Sequence, residues 1–76
     1  MTPRHLQKRD PDQNMARFYR VDVATTLFGE ASVVRSWGRI GTIGRTALET
    51  CATLEAAEVA GAKTISAKLR RGYRSV

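Results

Sequence analysis

The segment RSWGRIGTIGR, Arg35 to Arg45, gathers the only tryptophan of the chain, three glycines and three arginines, with no acid among them. An indole offers a flat surface for stacking on a base or packing on a sugar. A guanidinium forks onto phosphate oxygens. These are the ingredients of a nucleic-acid platform, but closely spaced glycines also build phosphate loops and hairpin corners. Spacing separates the three. A Walker-type loop needs G-x-x-x-x-G-K-[ST]; here Gly38 and Gly44 stand one residue too far apart, and Arg45 occupies the lysine position. The dinucleotide pattern G-x-G-x-x-G also fails, because the glycines run G-x-x-G-x-x-G. Gly41 and Gly44 are expected as turn residues, where glycine supplies a positive φ. Gly38 falls inside a strand beside Trp37, a place where glycine marks a bulge or a close backbone approach.

A second group of chemistry-bearing residues lies near the C-terminus. Lys68, Arg70, Arg71 and Arg74 form an acid-free run. Interaction with a helix dipole accounts for one or two of them, each by about 0.3–1 kcal/mol. A phosphate-tracking patch is expected for Arg70, Arg71 and Arg74. The whole chain is basic, with 13 Lys and Arg against 7 Asp and Glu and a net charge of +6 over 76 residues. Ten of those cations are arginine. Polyanions are therefore the leading partner class. Catalysis is the weakest class, since residues 15–76 offer no paired carboxylates, no histidine–nucleophile pair and no metal cluster. Cys51 and His5 are single, which leaves too few soft ligands for a zinc site. One cysteine fits a reducing compartment, and no stretch has the apolar length of a membrane span. The expectation is a cytoplasmic protein, associated with the nucleoid if it binds DNA, with no cofactor, metal or small-molecule substrate.

The elements that must position these residues follow from periodicity. Residues 1–14 hold both prolines and only Met1 and Leu6 as apolar side chains, so they are expected as a flexible N-terminal leader ahead of a single domain at 15–76. In RFYRVDVATTLF, Tyr19, Val21, Val23 and Leu27 alternate with Arg20, Asp22 and Thr26, which predicts a half-buried strand. A turn at Gly29 leads into a second strand, SVVRSWGRI, to make a hairpin. Alternation in that strand sets Arg35, Trp37 and Arg39 on one face and Val34, Ser36, Gly38 and Ile40 on the other. Val34 and Ile40 are taken as core-facing, so the Trp–Arg face is expected to be solvent-exposed. It is then either a cation–π sandwich on the sheet surface or a binding platform. RTALETC predicts a third strand. Thr53 is an N-cap for a helix from Leu54, with Leu54, Ala57, Gly61, Ile65 and Leu69 as its apolar stripe and Gly72 as its C′ residue. YRSV closes the sheet. The order β-β-β-α-β gives an α+β fold: a small antiparallel sheet of about four strands with one helix across it.

WGRIGTIG at Trp37 to Gly44, preceded by RFYRVDV and followed by AKLRRGY, resembles the WGR domain. That family is named for the tryptophan-glycine-arginine triplet and occurs in DNA-damage-dependent poly(ADP-ribose) polymerases and in small bacterial proteins. The resemblance covers residues 16 to 76. It implies a small antiparallel sheet with one helix and a non-enzymatic module that contacts a DNA end. Trp37 would pack on the terminal nucleotide's sugar, and Arg39 would hold the backbone or a neighbouring domain. Arg45 departs from the polar glutamine common at that position and adds charge beside the platform. No transferase or zinc-finger segment shares the chain, so polymerase activity is not implied. The expected nucleic-acid contacts are Trp37, Arg39, Arg35, Gly38, Arg45, Arg70, Arg71 and Arg74. DNA is the expected partner; RNA, and a protein docked on the same Trp–Arg surface, stay open as alternatives.

Overall fold

The computed structural model describes residues 3–26 and 28–76, so the placement expected for Leu27 lies outside the described residues. Along the chain run β1 (Arg4–Asp10), a 3-10 turn (Pro11–Gln13), β2 (Met15–Thr25), β3 (Ala31–Arg39), β4 (Arg45–Cys51), α1 (Leu54–Arg70) and β5 (Arg74–Ser75). The strands form one antiparallel sheet in the order β4-β3-β2-β1-β5, with α1 packed across one face. This is the α+β architecture expected from periodicity, enlarged by one strand.

The extra strand comes from the segment expected to be a leader. Arg4–Asp10 pairs along its whole length with Met15–Val21, and Leu6 is 1% exposed. One buried leucine was too weak a signal to read as a strand. Yet burying it fully stabilises the fold by about 1.5–3 kcal/mol, and the backbone ladder does the rest. The turn chemistry is also local. Pro11 opens the 3-10 turn, where its missing N–H costs nothing, and Asn14 takes a left-handed conformation at φ 51° to close the hairpin.

Cross-strand register fixes which side chains share a face. Leu6, Tyr19, Val21, Ala31 and Val33 lie on the helix side and form the core with Ala57 and Ile65 of α1. Only the middle of the predicted helix stripe is buried: Ala57, Gly61 and Ile65 press on the sheet, while Leu54 and Leu69 at the ends stay exposed. Small residues at two of those three positions let the helix backbone come close to β2 and β3. Thr53 caps the helix through a hydrogen bond from the Ala56 amide at 3.1 Å. At the other end the Tyr73 amide donates to the Lys68 carbonyl and the Gly72 amide to that of Leu69, with Gly72 at φ +97°. That is a Schellman termination, and it sets Tyr73 directly beside Lys68.

The phase of β3 differs from expectation by one residue. Val33, not Val34, is the core valine, at 0% exposure opposite Val23. Arg35, Trp37 and Arg39 do share a face, but it is the helix side of the sheet rather than the open one. Two consecutive valines give no phase by hydrophobicity, and the tie is broken by the helix. Trp37 is half-buried against the core, and Val34 and Ser36 occupy the open face with Leu48 and Thr46.

Candidate nucleic-acid interface

Helix α1 does not cover the sheet to its end. Where β2 begins and β3 finishes, beyond the Schellman turn, a cleft of about 700 Å³ opens on the helix side. This is within the range of about 300–1,000 Å³ typical of small-ligand sites, and large enough for a nucleotide. Its lining includes Asn14, Arg17, Tyr19, Trp37, Arg39, Lys68 and Tyr73.

The aromatic wall is continuous. Trp37 and Tyr19 face each other across the β2–β3 pair, with ring centroids 6.0 Å apart and planes 16° from parallel. Tyr73 meets Tyr19 edge-on at 6.3 Å. Tyr19 thus anchors the group, and burial, with a lesser contribution from Tyr73, pushes its phenol pKa up against the opposing pull of Arg35. Lys68 sits over this wall, 4.6 Å from the Tyr19 ring and 5.6 Å from that of Tyr73.

Next to the aromatic row runs a row of charge. Lys8, Arg17 and Arg39 are direct cross-strand neighbours on β1, β2 and β3, all on the helix side. Like charges set directly opposite each other destabilise a sheet. The ion pairs Arg20–Asp22 at 3.6 Å and Arg35–Glu49 at 2.9 Å lie outside this row. Among the described residues no carboxylate bridges Lys8, Arg17 or Arg39; the Arg39 guanidinium donates only a long 3.4 Å bond to the Asn14 carbonyl. Lys68 feels the result. Its pKa is lowered first by burial, then by the neighbouring charges of Arg71, Arg17 and Lys8.

The eight residues singled out in the sequence divide on this geometry. Trp37, Gly38 and Arg39 line the cleft, and Arg45 stands opposite Trp37 on the same face. Arg71 caps the helix near Lys68, and Arg70 is exposed in the last turn. Arg35 is engaged elsewhere: its side chain bonds Glu49 and donates to the Thr64 hydroxyl of α1 at 3.1 Å. Arg74 pairs with Gln7 on the opposite face of the sheet. Lys8, Arg17, Tyr19 and Tyr73 join the site from outside that set, and so does Lys68, which the sequence placed only in the C-terminal basic run. Lys8 was hidden because β1 was not legible as a strand. Tyr73 carried a usable signal, as the residue after a C′ glycine folds back on the last helical turn.

A family model described as WGR domain matches residues 2–76. The chain belongs to the WGR domain family. It is similar to the uncharacterized protein y4dW of Sinorhizobium fredii (strain NBRC 101917 / NGR234), with 36% identity over 70 residues. That alignment takes in 92% of this chain and 34% of y4dW, so the chain spans about a third of that relative's length. No solved structure matches the chain. In poly(ADP-ribose) polymerase-type proteins the WGR domain is a nucleic-acid-binding module rather than a catalytic one. The WGR glycines have structural duties here. A Cβ on Gly38 would lie 2.8 Å from the Gly44 Cα, and one on Gly44 would overlap the Trp37 carbonyl. The β3–β4 loop therefore folds back on the WGR triplet, and glycine at both places is what brings it so near. Gly41 and Gly44 adopt φ of +93° and +73°, as expected for turn positions.

Proposed function

We propose that this WGR domain is a DNA-binding module that receives the end of a strand in the Trp37 cleft. The row Lys8–Arg17–Arg39 carries the proposal: three like charges held side by side, without a described acid partner, are tolerated where an anion completes them. A sugar or base packs on the Trp37–Tyr19 wall, and the flanking phosphates meet Lys8, Arg17, Arg39 and Lys68. Arg45 and Arg71 extend the basic surface on either side. A protein adaptor would use the same aromatics, but an acid-free cation row fits a polyphosphate better than a mixed protein surface.

Affinity for a short duplex should fall linearly on a log–log salt plot, by about 0.9 per neutralised phosphate. Arg17→Ala should weaken binding and make that slope shallower by about one phosphate's worth. Fluorescence anisotropy of a labelled duplex across a salt series measures both. A salt-independent affinity, or an Arg17→Ala slope equal to that of the parent, would refute the assignment.

A further inference from the structure

The two edges of the sheet are treated differently. β5 is two residues long and ends one side with Arg74 and Ser75, a short edge of the kind that discourages further pairing. β4 ends the other side with seven residues, Arg45–Cys51, and all but Cys51 are exposed. It contains no proline and no lysine, and its register with β3 runs without a bulge from Arg45 to Cys51. Its outer row of N–H and C=O groups is unpaired among the described residues. At the centre, Leu48 is 68% exposed on the open face.

From this edge we infer that the chain pairs with a second copy of itself through β4, antiparallel about Leu48. In that register Leu48 meets the partner's Leu48 and covers its apolar surface. Thr46 faces the partner's Thr50 on the same side of the sheet, and Thr50 faces the partner's Thr46, two hydroxyl pairs of the kind β4 already makes with β3 at Ser36–Thr46, 3.0 Å apart. On the helix side Arg45 lies diagonal to the partner's Glu49, within reach of a long side chain and of opposite charge. The segment RTALETC is thus self-complementary when reversed, which a C2 interface requires. Residues facing each other across an antiparallel pair point to the same side, so both helices and both Trp37 clefts lie on one face of a continuous sheet. The strand pairing requires no ligand in either cleft.

Sedimentation equilibrium of the full chain over a wide concentration range tests this. The expected result is a reversible monomer–dimer equilibrium, weakened about tenfold or more by Leu48→Lys, which opposes two charges on the axis. Leu48 is exposed in the single chain, so circular dichroism should show the variant folded. The register has its own test in a Cys51→Ser background. Leu48→Cys should give a covalent dimer under mild oxidation, whereas Thr53→Cys, beyond the strand, should not. A chain that stays monomeric at every concentration, or a dimer indifferent to Leu48→Lys, would overturn the inference. So would a β4 edge that takes up only an unrelated strand.

Discussion

Lys68 concentrates the logic of the site in one side chain. The Schellman turn holds it over Tyr19 and Tyr73, while burial and then Arg71, Arg17 and Lys8 disfavour its charge. Its folded pKa lies below that of the unfolded chain, so the unfolded state holds this proton more tightly between the two values. Stability of the free domain from this group therefore rises with pH through that alkaline window. A bound phosphate reverses the preference, raises the pKa and draws a proton in. DNA affinity is accordingly expected to fall as pH climbs through the same window. Lys68→Gln should weaken binding by about 1 kcal/mol and remove most of the proton uptake. Titration calorimetry in buffers of different ionisation enthalpy counts the protons directly. Equal uptake by parent and variant would show that Lys68 does not meet the anion.

At the scale of elements, the β3–β4 loop shows how glycine serves two purposes within one motif. Gly41 has a positive φ with nothing within 4 Å of a would-be Cβ, whereas Gly44 has both a positive φ and the Trp37 carbonyl in the way. Gly41→Ala should cost about 1–2 kcal/mol, the penalty of a left-handed backbone alone. Gly44→Ala adds steric overlap with Trp37 and Phe18 and should cost about 3 kcal/mol or more. Urea unfolding of the two variants makes the comparison, and equal losses would mean that the loop does not fold back on the triplet. Turn residues and caps of this kind were legible in the sequence because their chemistry is local: Gly29, Gly41, Gly44, Thr53 and Gly72 all stand where expected. The β1 strand was not, because a single Leu6 among polar and basic residues has no pattern until β2 lies beside it. Nor was the face of Trp37, since Val33 and Val34 are equivalent until a helix covers one side.

For the molecule as a whole, the register of β1 and β3 sets the candidate site on the helix side of the sheet rather than on its bare face. The sheet stretches along a body 47 Å long and 16 Å thin, and the helix leaves one end of it bare. At that end the fold assembles aromatic and cationic rows that are far apart in sequence, from Lys8 to Tyr73. Trp37, Arg39, Arg45 and Arg71 belong to this end, whereas Arg35 and Arg74 are drawn into the body and the opposite face. Under the proposed function this cleft takes a strand terminus, which a duplex interior does not present. Trp37 is the only tryptophan, so its emission reports on the cleft alone. The deciding measurement is its fluorescence during titration with a blunt duplex and with a closed circle of equal base-pair concentration. The account predicts a saturable change with the open duplex, reversed by salt, and little change with the circle. The same change with both, or binding seen by anisotropy while Trp37 emission stays constant, would contradict it.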